Sequence, residues 1–228
     1  MSSMDGIAER ALAWVRDGDV IGLGSGRAAC AFVEKLGERV RAGLRVRGVP
    51  TSEGTARLAR EVGVPLTTLE EHDDLAVAVD GADEFDAARN LIKGWGAALV
   101  REKIVAACAR RFVILVGPEK RVDKLGARGK LPVEVVPFGV ALAAKRLRAL
   151  GLVPGLRSEG GGAPLVTDNG NWILDCGLQP VDDPRLLERA IREIPGVLDS
   201  GLFLGMAHTV LVQHEGRVEE IGEAPPAR

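Results

Sequence analysis

The stretch AVDGADEFDAARNLIKGWGAALVREK, residues 78–103, decides how the rest of this chain is organised. It begins within an apolar run, residues 75–79, which predicts a buried β-strand. Three carboxylates follow the strand at once, on Asp80, Asp83 and Glu84. Because open α/β sheets bind their ligands beyond the carboxyl ends of the strands, these side chains predict a binding site at a sheet edge.

A basic turn comes next, with the sequence KGWG at residues 93–96, and the predicted helix after it contains the triplet REK at residues 101–103. Acidic side chains, basic side chains and flexible backbone are therefore combined in one short segment. A solvated loop between a strand and a helix would have a similar composition, and it is the alternative interpretation. We favour a site because the apolar strand directs the carboxylates to one place.

Strands and helices alternate on both sides of this stretch. The predicted strands are residues 20–23, 44–49, 65–69, 75–79, 112–116 and 209–213, and the predicted helices are residues 7–15, 28–40, 54–62 and 97–110. Thr51 or Ser52 is well placed to cap the third of these helices. This alternation predicts an α/β fold with a doubly wound, mostly parallel (Rossmann-like) sheet.

The pattern changes in the second half of the chain. It predicts a strand at 132–136, a helix at 139–150, a hairpin at 164–176, a helix at 184–193 and a strand at 196–204. Asn169-Gly170 is typical of the tight turn of a hairpin. The order strand, helix, strand, strand, helix, strand is that of a ferredoxin-like α+β unit. We therefore expect residues 128–203 to form a smaller inserted domain, and residues 1–127 with 204–228 to form the Rossmann-like domain.

A glycine-rich turn, GLGSGR at residues 22–27, leads from the first predicted strand into a helix. Backbone N–H groups exposed at the positive end of a helix favour phosphate. The turn is not a dinucleotide fingerprint, because Arg27 occupies the third glycine position, and it is not a Walker A loop. On this pattern alone, a plain tight turn is an equal alternative.

Composition excludes some classes of function. The chain has 228 residues, of which 46% are hydrophobic and 27% charged, as is ordinary for a globular protein of one large or two small domains. The formal net charge of −2 argues against a nucleic-acid binder, which would usually be strongly basic. An anionic substrate would therefore need a local positive pocket.

Cysteine usage and the termini bear on the compartment. Cys30, Cys108 and Cys176 are odd in number and widely spaced, so we expect buried thiols rather than disulfides or metal ligands. The N-terminal sequence MSSMDGIAERALAWVRDGD carries early acidic residues and lacks the apolar core of a signal peptide. No uninterrupted apolar run approaches the roughly 20 residues of a membrane span. These features predict a reduced, cytoplasmic protein without membrane contact.

Several sequence blocks together resemble one family. The blocks DGADE (80–84), KGWGAAL (93–99) and REK (101–103) closely resemble the signature of type A ribose-5-phosphate isomerases. Further similar blocks, in order, are Thr51-Ser52, KRVDKLG at 120–126, PVEV at 132–135, TDNGN at 167–171 and IPGV at 194–197. The resemblance covers nearly the whole chain. It implies an aldose–ketose isomerase that interconverts D-ribose 5-phosphate and D-ribulose 5-phosphate in the pentose phosphate pathway.

The resemblance also implies roles for individual residues. Glu102 would be the general base that carries a proton between neighbouring carbons, through an enediolate intermediate. Asp80 and Asp83 would bind the sugar hydroxyls and assist ring opening, and Lys93 would face the developing oxyanion. Lys120 would bind phosphate or an oxyanion. The remaining substrate-binding residues would be Ser25, Gly26, Arg27, Ala28, Gly81, Ala82, Gly94, Trp95 and Gly96.

Neither a cofactor nor a metal is expected, and a homodimer is expected from the resemblance. The three histidines, His72, His208 and His214, are scattered in the sequence, and we interpret them as structural or surface residues.

Two positions depart from the family pattern. The phosphate loop of the family commonly reads Gly-x-Gly-Thr-Gly-Ser-Thr-Ala, whereas here Ser25 keeps a hydroxyl and Arg27 and Ala28 replace two others. We hypothesise that the guanidinium of Arg27 substitutes for the missing hydroxyls, with an arginine turned to solvent as the alternative. Trp95 stands where glycine is frequent. It could close off the pocket, narrow the choice of substrate, or pack against the inserted domain.

Other functions remain as rivals at this point. An amino-sugar-phosphate deaminase usually adds a histidine for ring opening, and none lies near the central motifs. A sugar-phosphate-sensing transcription repressor would need a helix-turn-helix before the first strand, where only 19 residues precede Val20. The third alternative is a sugar-phosphate-binding relative with altered substrate or lost activity, which the changed phosphate loop would suit.

Overall fold

The computed structural model describes residues 4–160 and 162–225. Its contacts divide the described chain into two compact units. The first comprises residues 4–82, 101–120 and 206–225, and the second comprises residues 83–100, 121–160 and 162–205.

The strands and helices are numbered in chain order. The strands are β1 (Val20–Leu23), β2 (Arg47–Pro50), β3 (Val77–Gly81), β4 (Glu84–Phe85), β5 (Leu91–Ile92), β6 (Phe112–Val116), β7 (Lys130–Val135), β8 (Val153–Leu156), β9 (Trp172–Gly177), β10 (Val197–Ser200), β11 (Leu202–Phe203), β12 (Thr209–His214) and β13 (Arg217–Gly222). The α-helices are α1 (Asp5–Ala11), α2 (Gly26–Arg41), α3 (Glu53–Glu61), α4 (Leu99–Ala107), α5 (Val140–Ala149) and α6 (Pro184–Arg192).

The first unit is built on a six-stranded sheet in the order β13-β12-β6-β3-β1-β2. All neighbours pair in parallel except β12 and β13, which form an antiparallel hairpin at one edge. The central strand β6 is apolar along its whole length, and β3 is apolar up to Asp80 near its end, as is expected for a parallel sheet covered on both faces. The predicted doubly wound, mostly parallel sheet is confirmed.

The main core of this unit lies between the sheet and the helices α1 and α2. Phe32, Val33 and Leu36 of α2 are fully buried there against strand residues such as Ile21 and Val79. Burial of each such side chain contributes about 1.5–3 kcal/mol relative to exposure. The spacing of these residues places all three on one face of α2, and this is the face that packs against the sheet.

The second unit contains a four-stranded antiparallel sheet in the order β10-β7-β9-β8. The chain order of this part is β7, α5, β8, β9, α6, β10, so the predicted ferredoxin-like arrangement is confirmed. Its core joins sheet and helices through residues such as Val133, Leu147, Leu174 and Ile191. A second, three-stranded sheet in the order β11-β5-β4 belongs to the same unit.

Several predicted elements differ from the structure. Residues 65–69 do not form a strand, since only Leu66 makes an isolated bridge, to Gly48. The predicted 164–176 hairpin is wrong: β9 pairs with β8 on one side and β7 on the other. The Asn169-Gly170 turn instead closes a short loop in which the N–H of Thr167 donates to the carbonyl of Asn171 (2.9 Å). Strands β4, β5, β8 and β13 were not predicted.

The unit boundaries also differ from the expected ones, because residues 83–100 group with the second unit. The reason is pairing: β5 lies between β4 and β11, with Ile92 opposite both Glu84 and Leu202. In the described chain, none of the helices combines the length and the apolar character that crossing a bilayer requires.

Candidate active site

Asp80 lies at the carboxyl end of β3 and is only 2% exposed. Its Oδ1 accepts hydrogen bonds from the backbone N–H groups of Ser25 (3.0 Å) and Gly81 (2.7 Å). Gly24 permits this approach, because a Cβ there would lie 2.3 Å from Cγ of Asp80. The glycine-rich turn is therefore fitted to the carboxylate, and the fit explains why a glycine stands at this position.

Two threonines, Thr51 between β2 and α3 and Thr55 in the first turn of α3, hold the same turn in place. Oγ of Ser25 lies 2.7 Å from Oγ1 of Thr51, and Oγ1 of Thr55 donates to the carbonyl of Gly24 (2.9 Å). Both threonines are buried, at 1% and 2% exposure. Ser52 caps α3 as predicted, accepting from the N–H of Thr55 (3.0 Å). The bracing role of Thr55 was missed, since nothing in its local sequence marks it.

Helix α2 begins at Gly26, directly after Ser25, so Arg27 and Ala28 lie in its first turn. The predicted start at residue 28 was two residues late. Arg27 is exposed and lines a surface groove together with Gly117, Pro118 and Glu119. The backbone N–H groups of this first turn lie at the positive end of α2, where a bound anion is stabilised.

Lys120 ends a short 3₁₀ helix, Pro118–Lys120, that follows β6. Its backbone N–H donates to the carbonyl of Gly117 (3.1 Å). Strands β6, β3 and β1 are neighbours and run in parallel, so Lys120, Asp80 and Ser25 all lie at or just beyond the carboxyl ends of adjacent strands. This edge of an open α/β sheet is where such folds bind ligands.

Glu102 lies in the first turn of α4 and is 5% exposed. Val105, on the same face three residues later, packs over β1 and β3: a Cβ on Gly22 would lie 2.5 Å from its Cγ1. A helix that follows a parallel strand begins near the carboxyl edge of the sheet, so Glu102 belongs to that edge. Its neighbour Arg101 points elsewhere and pairs with the exposed Glu53 (3.1 Å). Glu102 is therefore not a solvent-exposed surface residue.

In the second unit, Asp83 holds the turn that follows β5. Its Oδ2 accepts a hydrogen bond from the N–H of Trp95 (3.0 Å). Glu84, the third carboxylate of the cluster, is fully buried and accepts from the N–H groups of Gly126 (2.6 Å) and Arg128 (2.8 Å). Glu84 is thus a structural anchor for the 126–128 loop, whereas Asp83 supports a candidate site residue.

Lys93 is 3% exposed, which is rare for lysine. Its N–H donates to the carbonyl of Gly201 (2.9 Å), and its Nζ lies 5.5 Å from the centroid of the Phe203 ring. The aromatic face favours a cation at that distance. The pairing of β5 with β11 therefore fixes the backbone at Lys93 and places its side chain over the Phe203 ring.

Trp95 packs against the beginning of β7. Its indole Nε1 donates to the carbonyl of Lys130 (3.3 Å), and the charged groups of Arg128 and Lys130 lie 5.1 and 5.2 Å from its ring centroid. Of the three interpretations given for this side chain, packing against the ferredoxin-like part is the one that these contacts support.

Two of the three histidines, His72 and His208, lie away from the strand ends that carry the candidate residues, whereas His214 ends β12 and lines the same surface groove as Arg27. Nδ1 of His208 accepts from the N–H of Phe112 at the beginning of β6, His72 pairs with Arg47, and His214 pairs with Glu219. Within residues 4–160 and 162–225, no three His, Cys, Asp or Glu side chains are grouped to hold a metal ion.

A parallel sheet with acidic, basic and amide groups at its carboxyl edge, and a buried glutamate beside them, defines an α/β enzyme that acts on a small polar ligand. Residues 47–217 match the family model of ribose 5-phosphate isomerase A (phosphoriboisomerase A). The chain therefore belongs to the ribose 5-phosphate isomerase A family.

Curated relatives and solved structures agree with this assignment. The chain is 53% identical over 222 residues to the ribose-5-phosphate isomerase A of Roseiflexus castenholzii, covering 96% of this chain and 94% of the relative. It is 51% identical to that of Gloeobacter violaceus, covering 93% and 92%.

Among solved structures, the ribose 5-phosphate isomerase A of Methanocaldococcus jannaschii superposes with a TM-score of 0.92 at 39% identity, covering 97% and 98% of the two chains. A D-ribose-5-phosphate isomerase in complex with phospho-erythronic acid gives a TM-score of 0.93 at 38% identity with the same coverage.

Proposed function

We propose that this chain interconverts D-ribose 5-phosphate and D-ribulose 5-phosphate, with Glu102 as the base. The sugar ring must first open to expose the aldehyde. Glu102 then removes the proton from C2, which gives an enediolate, and returns it to C1, which gives the ketose. The observation that carries this proposal is the burial of Glu102 on the first turn of α4 in a member of this isomerase family.

Burial suits a carboxylate for this reaction. A general base works best when its pKa lies near the working pH. Removal from water disfavours the charged form of a carboxylate and so moves its pKa in that direction. A solvent-exposed glutamate such as Glu53 lacks that advantage. The position of the base contributes further. When the enzyme holds the carboxylate against the reacting carbons, a bimolecular proton transfer becomes effectively unimolecular.

The acidic residues and Lys93 are assigned complementary roles. We assign Asp80 and Asp83 to the sugar hydroxyls, where they assist ring opening and orient the open chain. Lys93 is assigned to the oxygen that becomes negative in the enediolate. The backbone restraints on Asp80 and Lys93 support these roles, because a group that is already fixed needs no reorganisation during the reaction.

Phosphate is assigned to the turn at the beginning of α2. We propose that the phosphate is bound by three kinds of group: the backbone amides of Gly26, Arg27 and Ala28, the Ser25 hydroxyl, and the side chains of Arg27 and Lys120. The helix terminus and the place of Arg27 in the groove beside the 117–119 loop support this assignment. In the related complex the ligand is phospho-erythronic acid, a phosphorylated sugar acid, which supports a phosphorylated substrate here.

The assembly is proposed to be a cytoplasmic homodimer. In the second unit, apolar side chains such as Phe138, Val153 and Leu186 are exposed at 101%, 72% and 63%, which favours burial against a partner. Cys30, Cys108 and Cys176 are free, as is usual in a reducing compartment. Sedimentation equilibrium of the purified chain tests the dimer.

A purified-protein assay tests the reaction itself. Wild-type protein is expected to form ribulose 5-phosphate from ribose 5-phosphate, to be inactive on ribose, and to release no ammonia from glucosamine 6-phosphate. Binding of ribose 5-phosphate without any turnover would instead support the alternative of a sugar-phosphate-binding relative that lost activity.

A further inference from the structure

The turn that follows Lys93 has an unusual backbone. Gly94 and Ala97 have φ angles of +98° and +69°. Glycine adopts the left-handed region readily, but a residue with a Cβ, such as Ala97, rarely does. Such a conformation persists only where the surroundings hold it, and such positions concentrate at functional sites.

Arg157 supplies that restraint from the loop after β8. Its Nη1 donates to the carbonyl of Gly94 (3.2 Å) and to the carbonyl of Trp95 (3.0 Å). The carbonyl of Gly94 also accepts from the N–H of Ala97 (3.1 Å), which closes the turn. One guanidinium thus binds two successive carbonyls of the strained segment.

Asp175 of β9 fixes the guanidinium in turn. Its carboxylate accepts from Nε (2.9 Å) and Nη2 (2.5 Å) of Arg157, a paired geometry that orients the plane of the arginine. Nζ of Lys130 lies 3.1 Å from the same carboxylate. The Arg157 side chain is only 10% exposed, so this pair is shielded from the solvent that weakens surface ion pairs.

The direction of the turn's N–H groups follows from these bonds. The described chain contains no cis peptide bond, so the C=O and N–H of each peptide point in opposite directions. The carbonyl of Trp95 points toward Arg157, and the N–H of Gly96 therefore points away from it. The N–H of Trp95 is committed to Asp83 and that of Ala97 to Gly94. Gly96 itself is exposed, and its N–H points to the side of the turn opposite Arg157.

We propose that Arg157, oriented by Asp175, is a positioning residue for the isomerisation: it holds the 94–97 turn so that the N–H of Gly96 donates to the substrate oxygen that becomes negative. The inference rests on the proposed function and adds a residue to it. Arg157 itself does not touch the substrate. Its effect passes through the two carbonyls, and a shift of the turn by about 1 Å is enough to lower the rate about 100-fold.

The test compares Arg157→Ala, Arg157→Lys and Asp175→Asn with a matched control, Arg148→Ala, which removes an exposed arginine from the same unit. Because the Gly96 amide is assigned to the charged intermediate, we expect kcat to fall about 100-fold in Arg157→Ala while KM changes little. Arg157→Lys retains the charge but loses the planar guanidinium that binds two carbonyls and the carboxylate at once. Its kcat is expected to fall about 10-fold or more. Arg148→Ala is expected to match wild type.

Rescue separates positioning from general loss of structure. Millimolar guanidinium chloride, far below denaturing concentrations, is expected to restore part of the kcat of Arg157→Ala and none of that of Asp175→Asn. A folded Arg157→Ala or Arg157→Lys with wild-type kcat would overturn the proposal, as would a loss confined to KM. Inactivity of wild type and Arg148→Ala would contradict the proposed function instead.

Discussion

The backbone N–H of Ser25 donates a 3.0 Å hydrogen bond to Oδ1 of Asp80, across 55 residues of sequence. This bond joins the glycine-rich turn after β1 to the carboxylate after β3. The turn assigned to phosphate and the carboxylate assigned to the sugar hydroxyls are therefore parts of one rigid arrangement. A substitution that moves the turn is therefore expected to move the Asp80 carboxylate as well.

The first prediction follows from the close approach of Gly24 to Asp80. In Gly24→Ala, the added methyl group would lie 2.3 Å from Cγ of Asp80 and must displace it. We expect kcat/KM to fall about 100-fold, because a misplaced reacting or orienting group costs about that much. Steady-state kinetics measure the loss. Gly54→Ala on the exposed face of α3 is the control, since a Cβ there has room and its kinetics should be unchanged.

The second prediction concerns Arg27 and the phosphate. If its guanidinium binds phosphate, Arg27→Ala should raise KM for ribose 5-phosphate about 10-fold or more and leave kcat nearly unchanged, because a charge-assisted bond made equally to substrate and transition state affects binding alone. Arg57→Ala, an exposed arginine of α3, is the matched control. An unchanged KM in Arg27→Ala would remove this side chain from the site.

The third prediction uses the pH dependence of Asp175. Burial opposes its ionisation, but the hydrogen bonds and charges of Arg157, and then of Lys130, outweigh burial and lower its pKa below the ordinary value of 3.8. A lowered pKa stabilises the fold above the unfolded value, and this contribution is lost as pH falls through the folded value. Asp175→Asn should therefore be less stable than wild type at pH 7, and the difference should shrink below about pH 4.

Urea denaturation at pH 7 and pH 3 measures that difference. Asp182→Asn is the control, because Asp182 is 86% exposed and its pair with Lys124 lies in solvent. A stability difference for Asp175→Asn that is the same at both pH values would contradict the assigned ionisation.

The fourth prediction concerns thiol reactivity. Burial, and then the charge of Asp175, raises the pKa of Cys176 to about 12, so almost no thiolate forms near neutral pH. Cys176 should remain unmodified by iodoacetamide at pH 8 in the folded protein and react after unfolding. Peptide mass spectrometry distinguishes it from Cys30 and Cys108, which are both partly exposed. Modification of native Cys176 at the rate of the unfolded chain would contradict this.

Local patterns predicted much of the fold. β1 and β6 were predicted with their observed bounds, because a short apolar run between turn residues is typical of a strand buried inside a sheet. The order of elements in the ferredoxin-like part was also predicted, although β8 was not. Strand β8 contains Pro154 and Gly155, which are unfavourable in a strand, and it forms because it lies at the sheet edge.

The partners of the site residues could not be predicted in the same way. The bonds from Arg157 to Gly94 and Trp95 span 63 and 62 residues, and they depend on the fold rather than on local spacing. Two-residue strands such as β4 and β5 carry no periodicity to detect. Glu84 illustrates the same limit: its carboxylate belongs to the acidic cluster by sequence, but it binds backbone amides of a distant loop.

The most direct measurement is the turnover of Glu102→Gln together with its exchange of the C2 hydrogen in deuterated water. The amide preserves the shape of the side chain but cannot accept the proton, so kcat and the exchange rate should both fall by about 10²–10⁴. Glu53→Gln, which alters an exposed glutamate paired with Arg101, should leave both unchanged. A Glu102→Gln variant that isomerises and exchanges at the wild-type rate would contradict the assignment of Glu102 as the base.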